Sequence, residues 1–253
     1  MISKAELKYY SLLTKKKYRD IENKFLVEGP KLIFEALSSG YECELILLLK
    51  HVEAEFQNLI KPFLSKTKRI EFINEKEMRK IQSTVHSQGS IGVFKKNYSK
   101  KLNQIQCRLI VALENVNDPG NVGTIIRNAD WFGVTEFLLS DDCADIYNPK
   151  TIRASAGSVF HLDIIDEINL LDTIVFLKTK GYKILCADIT GTNIYNYSKS
   201  NKEIIVFSNE ANGPTDKLLK LTDEKITVPK KGKAESLNVA SASAIILSEM
   251  TKY

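Results

Sequence analysis

The sequence predicts an α/β protein of two domains, because short apolar segments alternate with amphipathic ones along its 253 residues. A polar stretch over residues 98–106 separates two such alternating blocks. We therefore expect a first domain over residues 1–97, a linker over 98–106 and a second domain over 107–253. Strands and helices alternate through the whole second block, which favours a mainly parallel sheet there.

The first domain is expected to open with an amphipathic, basic helix over residues 6–19. Gly29 and Pro30 mark the start of the next helix, because proline suits the first turn. Short apolar runs predict strands at 25–28, 45–49, 69–73 and 90–94. The helices predicted between them cover 31–39, 52–59 and 75–82.

The second domain shows the same alternation with longer apolar runs. Its strands are predicted at 108–113, 136–140, 162–166, 183–187, 203–207 and 225–228. Its helices are predicted at 121–132, 149–158, 170–180, 215–221 and 237–250. Two of the strands follow one another without a helix between them, at 183–187 and 203–207.

Positive charge is concentrated in the first part of the chain. The whole chain has a formal net charge of +5, whereas residues 1–101 hold 20 Lys and Arg against 12 Asp and Glu, a net of +8. The remainder holds 16 against 19, a net of −3. This asymmetry indicates that the first domain meets a polyanion, and a solvated basic surface without a partner explains it equally well.

Several classes of protein are disfavoured by what the sequence lacks. No apolar run reaches the roughly 18 residues of a membrane span, and the first 20 residues lack a signal peptide's apolar core, so we expect a cytoplasmic protein. The four cysteines form no CxxC pair, which argues against a zinc site or a disulfide framework. Glycine-rich nucleotide loops, HExxH and GxSxG motifs are absent, so we expect no metal.

Polar residues cluster at the C-terminal ends of three predicted strands, where open α/β sheets bind ligands. The first cluster, residues 114–129, places Asn121 and Arg127 in the first turns of a helix, whose free N–H groups favour an anion such as phosphate. Helix capping by Asn121 and a solvent-facing Arg127 are the simpler alternative.

The second cluster, residues 205–214, leads a buried strand directly into Glu210 and a turn of small residues. Such a turn lets the backbone approach a ligand closely, although a plain strand-to-helix turn explains it as well. In the third, residues 228–242, a basic loop precedes Ser236 and Asn238 at the start of the last helix. Asparagine is unfavourable inside a helix unless its side chain has a role, and Ser236 as an ordinary N-cap is the alternative.

Together the three clusters resemble the signature motifs of the SpoU (TrmH-like) branch of the SPOUT RNA methyltransferases. In order, those motifs read D-x-x-x-D-P-x-N-x-G-x-x-x-R, G-x-E-x-x-G and I-P-M-x-G-x-x-x-S-L-N-V, and the resemblance covers residues 107–253. The segments 25–29 and 87–89 are similar to a substrate-binding domain, related in fold to ribosomal protein L30e, that precedes many members. Ser208 and Ala211 stand where the family has glycine, and Lys230 where it has methionine.

The resemblance implies a parallel α/β sheet with a C-terminal trefoil knot, S-adenosylmethionine as the cofactor and a homodimer formed through the C-terminal domain. It implies methylation of a ribose 2′-hydroxyl in structured RNA, ribosomal RNA first and transfer RNA second. The residues it assigns to catalysis are Arg127, Asn121, Glu210, Ser236 and Asn238. Those it assigns to the cofactor are Ser208, Glu210, Gly213, Val228, Leu237 and Asn238. The lysines and arginine expected to contact RNA are Lys15, Lys16, Lys17, Arg19, Lys230 and Lys231.

Two other functions remain open. One is an RNA-binding protein that keeps the fold without catalysis, which measurable binding of S-adenosylmethionine would exclude. The presence of all five polar residues assigned to catalysis favours the enzyme. The other is a protein-binding scaffold that uses the basic first domain and does not respond to RNA.

Overall fold

The structure, a computed structural model, describes residues 2–85, 87–97, 102–209 and 212–252. Its contacts divide it into two compact units. Unit 1 comprises residues 1–98 and 147–160, and unit 2 comprises residues 99–146 and 161–253. The segment 147–160, which the sequence analysis placed in the second domain, therefore belongs to unit 1 by its contacts.

Unit 1 contains a four-stranded sheet with helices on it. Its strands are β1 (Lys24–Glu28), β2 (Cys43–Leu48), β3 (Ile70–Phe72) and β4 (Ser90–Lys95), in the order β1-β4-β2-β3. Its helices are α1 (Lys4–Ser11), α2 (Lys16–Glu22), α3 (Pro30–Ser38), α4 (Glu53–Ile60), α5 (Glu75–Ile81) and α7 (Pro149–Ala154). β4 pairs antiparallel with β1 and β2, and β3 pairs parallel with β2. Every strand predicted for the first domain is confirmed.

The predicted single helix over residues 6–19 is wrong, because a short 3-10 turn at Leu12–Thr14 separates α1 from α2. Arg19 stabilises this break, since its Nη1 donates to the carbonyl oxygens of Leu13 and Thr14, both at 2.9 Å. Only 2% of Arg19 is exposed, so the residue fills the interior of the unit. This placement corrects the expectation that Arg19 is available to RNA.

The start of α1 is held by a reciprocal cap between Ser3 and Glu6. Arg69 Nη1 also donates to Glu6 Oε1 at 2.8 Å. The Ser3 backbone N–H, and after it the Arg69 guanidinium, lower the pKa of Glu6 to about 2. Both donors favour the charged carboxylate, which therefore stays ionised well below the pH at which glutamate is normally protonated.

An aromatic cluster holds the segment 147–160 in unit 1. The ring of Phe25 in β1 lies 4.4 Å from the ring of Tyr147, and the ring of Phe160 lies 5.1 Å from that of Tyr41. All four residues are buried. Since both ends of the segment contribute a buried ring, its docking is part of the hydrophobic core of unit 1.

Unit 2 contains a six-stranded sheet. Its strands are β5 (Leu109–Glu114), β6 (Glu136–Ser140), β7 (Asp163–Ile168), β8 (Lys183–Asn193), β9 (Glu203–Ser208) and β10 (Glu224–Thr227), in the order β10-β8-β9-β5-β6-β7. The helices are α6 (Pro119–Trp131), α8 (Leu170–Thr179), α9 (Asp216–Leu221) and α10 (Val239–Thr251). All five strand pairings among the described residues are parallel, which confirms the predicted parallel sheet.

One strand is longer than predicted. β8 continues past residue 187 to Asn193 because its second half pairs with the end of β10 after a shift in register. Gly191 permits this approach, since a Cβ there would lie 2.5 Å from the backbone nitrogen of Ile226. The trefoil knot stays a prediction. None of the helices in the described part of the chain is long and apolar enough to cross a membrane.

Candidate active site

The three polar clusters follow β5, β9 and β10 in the structure, at the same edge of the parallel sheet. β5 and β9 are neighbours, and their last residues, Glu114 and Ser208, face one another in register. The loops after these two strands therefore start side by side. The loop after β10 starts two strands away, beyond β8.

Glu114 joins the first two clusters. Its side chain accepts hydrogen bonds from the hydroxyl of Ser208 at 3.1 Å, the hydroxyl of Thr215 at 2.6 Å and the backbone N–H of Thr215 at 3.1 Å. The residue is only 4% exposed, so three donors satisfy a buried acceptor. Glu114 was not predicted as a site residue, although an acidic residue at the end of an otherwise apolar strand was the available signal.

Ser208 is accommodated by this same contact. Because its hydroxyl donates to Glu114, the side chain that replaces the family's glycine has a fixed partner within the sheet edge. The next residue, Asn209, donates from Nδ2 to the carbonyl oxygen of Asn115 at 3.0 Å. Asn115 has a φ of 56°, a left-handed conformation that asparagine tolerates better than most residues. Glu210 and Ala211 lie outside the described residues.

Asn238 joins the first and third clusters. Its Oδ1 accepts from the backbone N–H groups of Ala240 at 3.0 Å and Ser241 at 3.2 Å, so Asn238 rather than Ser236 is the N-cap of α10. Its Nδ2 donates to Oδ1 of Asn121 at 3.2 Å. One amide thus caps α10 and contacts the first turn of α6.

Asn128 adds a second link between α6 and α10. Its Nδ2 lies 2.9 Å from the carbonyl oxygen of Ala240 and 2.9 Å from the hydroxyl of Ser243, and it donates to both. Asn121 and Asn128 are seven residues apart, two turns along one face of the helix. Asn128 was not predicted as a site residue, because its spacing from Asn121 is visible in the sequence but the partner helix is not.

Arg127 is exposed and lies on a different face of α6 from the two asparagines. Within the described residues its guanidinium makes no hydrogen bond or ion pair with the other candidate residues. Trp131, four residues later, shares the face of Arg127 and is 81% exposed. The structure of one chain therefore brings Asn121 and Asn238 together but leaves Arg127 open to a partner.

The loop of residues 229–237 is exposed throughout. Its backbone makes no hydrogen bond with other backbone groups of the described chain, and Leu237 is 47% exposed. Ser236, Lys230 and Lys231 are all exposed in this loop, whereas Val228 is half-buried at its start. On the loop after β9, Gly213 has a φ of 64° and open space beside its Cα.

These groups fit S-adenosylmethionine. Free peptide N–H and C=O groups and an exposed leucine are suited to the edge and face of a purine ring. Among the described residues no cluster of three potential metal ligands is present. The nearby thiol of Cys143 donates to the carbonyl oxygen of Leu113 at 3.4 Å, and burial raises its pKa, so it is a neutral donor at neutral pH.

The three lysines of the first domain that are expected to contact RNA lie at the start of α2. Lys15, Lys16 and Lys17 are exposed there, whereas Arg19 in the following turn is buried. The three lysines thus form an exposed basic group on unit 1, in contrast to the buried arginine.

Comparison with known proteins gives two matching family models. The model described as the SpoU rRNA Methylase family matches residues 108–248, and the MRM3-like substrate binding domain matches residues 4–92. The 23S rRNA (guanosine(2553)-2'-O)-methyltransferase RlmP of Bacillus subtilis is 31% identical over 246 residues, which cover 96% of this chain and 94% of that protein.

Solved structures are similar over nearly the whole chain. A TrmH-family protein from Porphyromonas gingivalis, described as an RNA methyltransferase, is 29% identical with a TM-score of 0.87 and covers 99% of this chain and 98% of its own. An rRNA methyltransferase from Sinorhizobium meliloti, solved with AdoMet bound, is 29% identical with a TM-score of 0.85 and covers 99% of this chain and 95% of its own. The two-domain α/β fold is therefore shared with these structures.

Proposed function

The chain belongs to the SpoU rRNA methylase family, and we propose that it methylates the 2′-hydroxyl of a ribose in ribosomal RNA, with transfer RNA as the second choice. As a member of this family it is an RNA methyltransferase that uses S-adenosylmethionine. The observation that carries the proposal is the contact between Asn238 and Asn121, which joins the first and third motif segments at one edge of the sheet.

The reaction requires alignment of donor and acceptor and stabilisation of one developing charge. The cofactor supplies a methyl group on a sulfonium, open to in-line attack. Transfer would form a bond between the 2′-oxygen and the methyl carbon and break the sulfur–carbon bond, which leaves a neutral thioether. The hydroxyl would lose its proton to solvent water, so negative charge would develop on that oxygen. Arg127 is the cation that stabilises this charge and holds an adjacent phosphate. A guanidinium is effectively always protonated, so Arg127 does not act as the base.

The other candidate residues position the ribose and the cofactor. The side-chain amides of Asn121 and Asn238 are in contact. We propose that they orient the ribose and hold the loop before α10. Ser236 and Glu210 would complete the polar lining, and the backbone at Ser208, Gly213, Val228 and Leu237 would hold the cofactor. Glu114 is a positioning residue, since it fixes the ends of β5 and β9 through Ser208 and Thr215.

We further propose a homodimer formed through the C-terminal domain. Arg127 and Trp131 share one face of α6, and both are exposed in the single chain. Tryptophan and arginine are enriched at the centres of protein interfaces. A tryptophan that is 81% exposed beside an exposed arginine therefore favours an interface on this face of α6.

RNA would be held by two basic groups. One comprises Lys15, Lys16 and Lys17 on unit 1, and the other comprises Lys230 and Lys231 in the loop before α10. All five side chains are exposed, as phosphate contacts require. A cytoplasmic location stays a prediction of the sequence.

The proposal is tested by incubating the purified protein with deproteinised ribosomal RNA and methyl-labelled S-adenosylmethionine. We expect the label at a ribose, where methylation makes the adjacent phosphodiester resistant to alkali. The Arg127→Ala protein is the matched control and should still bind the cofactor without transferring the label. Label in a base, or no label in ribosomal RNA with a folded protein that binds the cofactor, would contradict the proposal.

A measurement of cofactor binding distinguishes the enzyme from an RNA-binding protein that keeps the fold without catalysis. Calorimetry with S-adenosylmethionine should show saturable binding by the wild-type protein. A folded sample that binds RNA but not the cofactor would support the RNA-binding protein without catalysis instead.

A further inference from the structure

Unit 1 contains a cavity of about 350 Å³ that the proposed reaction does not use. Its lining comes from the end of β1, the first turn of α3, the end of α7 with the residues after it, and the segment before β4, which contributes Thr84 and Gln88. Its volume is near the lower end of the roughly 300–1,000 Å³ range of small-molecule pockets. It is therefore large enough for one nucleotide and too small for a duplex.

A fixed carboxylate lies at this cavity. Glu28 accepts from the backbone N–H of Ser83 at 2.6 Å and from the hydroxyl of Thr84 at 2.9 Å, and its side chain is 8% exposed. Each carboxylate oxygen has two acceptor sites, so Glu28 retains capacity for a further donor. The exocyclic amine of a nucleobase is such a donor.

Arg153 provides a planar group at the same cavity. Its Nη1 donates to the hydroxyl of Ser83 at 2.6 Å and lies 3.9 Å from Oε1 of Glu28. Both contacts are made by Nη1, and the side chain is 32% exposed, so part of the guanidinium is open to solvent. Unstacked RNA bases commonly stack on the guanidinium plane of arginine.

The remaining lining suits the rest of a nucleotide. Leu32 and Ala156 offer apolar contact, and Gln88 offers both a donor and an acceptor. Lys31 adds an exposed cation for a phosphate. Gln88 lies directly over Gly29, where a Cβ would collide with its amide, so the backbone of Gly29 leaves room for this side chain.

We propose that this cavity binds one unstacked nucleotide of the substrate RNA, with the base between Arg153 and Leu32 and its edge at Gln88 and Glu28. The inference rests on the proposed function, because it assigns a recognition subsite to the same RNA. A free nucleotide shares the relevant chemistry. We favour RNA because the cavity lies in the unit that contains most of the chain's excess positive charge.

The test uses the full-length protein and labelled single-stranded hexanucleotides of A, C, G and U, with a 12-base-pair RNA duplex for comparison. Gln88→Ala and Leu32→Ala should each weaken binding of at least one hexanucleotide about tenfold, which is typical of one stacked base. Gln57→Ala and Leu64→Ala replace exposed residues of the same types elsewhere in unit 1, and each should change affinity less than twofold.

Three outcomes would overturn the inference. They are unchanged hexanucleotide affinity in folded Gln88→Ala and Leu32→Ala proteins, an equal loss of duplex binding, or micromolar binding of a free nucleoside monophosphate that RNA does not displace. Methyl transfer to ribosomal RNA is measured in parallel. Gln88→Ala should raise KM for RNA about tenfold and leave kcat unchanged. A wild-type protein that transfers no methyl group would refute the proposed function, whereas the hexanucleotide data would still decide the cavity.

Discussion

Replacing Glu114 by glutamine tests whether one buried carboxylate holds the candidate site together. The wild-type side chain accepts three hydrogen bonds, two from Thr215 and one from Ser208, and the residue is 4% exposed. Glutamine keeps the shape, but its amide nitrogen cannot accept, so at least one donor loses its partner. A buried donor without an acceptor costs about 1–3 kcal/mol, and loss of the charged acceptor weakens the remaining bonds. We expect a destabilisation of about 2–4 kcal/mol.

The assay is urea unfolding of the wild type, Glu114→Gln, Ser208→Ala and the double variant. Ser208→Ala removes one of the three bonds and should cost about 1 kcal/mol. The double variant should cost about 1 kcal/mol less than the sum of the two, because both changes remove the same bond. Asp216→Asn, an exposed carboxylate at the start of α9, is the control and should cost less than about 1 kcal/mol. Additive costs, or a wild-type unfolding midpoint for Glu114→Gln, would refute the reasoning.

Four further predictions concern other parts of the molecule. Arg127→Ala should lower kcat about 100- to 1,000-fold with little change in cofactor affinity. Arg127→Lys should not restore turnover, because an ammonium lacks the planar guanidinium with its paired donors. Rapid turnover by the lysine variant would exclude the proposed role of Arg127 in stabilising charge. Trp131→Glu should raise the dimer dissociation constant at least about 30-fold in sedimentation experiments, whereas Val175→Glu should not, and an intact Trp131→Glu dimer would exclude the interface. Reversing the charges of Lys15–Lys17 should weaken RNA binding and reduce its salt dependence, and an unchanged salt slope would show that these lysines do not contact phosphates. Because the pKa of Glu6 is lowered to about 2, its carboxylate stabilises the fold fully above pH 4.5, the usual pKa, and loses this effect as the pH falls towards about 2. The difference in Tm between wild type and Glu6→Gln should therefore disappear over that pH range. A difference in Tm that stays constant would contradict this prediction.

The sequence was sufficient for most of the fold because periodicity and turn residues are local signals. The run of apolar residues from Leu109 to Leu113 is such a signal and is confirmed as β5, whereas α6 begins at Pro119, two residues before the predicted start at 121. The unbroken helix over residues 6–19 was wrong, because the break at Leu12–Thr14 depends on where the side chain of Arg19 donates. That partner choice is set by burial, which the helical pattern does not reveal.

The candidate site shows the same division between local and distant information. Asn121 and Asn238 were identifiable by motif, but their contact spans 117 positions and only the fold reveals it. The choice between Ser236 and Asn238 as the N-cap of α10 was undecidable from the sequence, since both residue types cap helices. Glu114 and Asn128 were missed because their importance depends on partners in other elements.

The passage of residues 147–160 through unit 1 affects how the protein could be recombined with its relatives. The chain crosses from one unit to the other three times, so neither unit is a continuous stretch of sequence. A chimera cut at the polar stretch 98–106 would separate Phe25 and Tyr41 from the Tyr147 and Phe160 rings that pack on them. Grafting the first domain of a relative onto this catalytic domain therefore requires that the β6–β7 connection be exchanged with it. Substrate recognition in such proteins would then be inherited as two separate sequence segments.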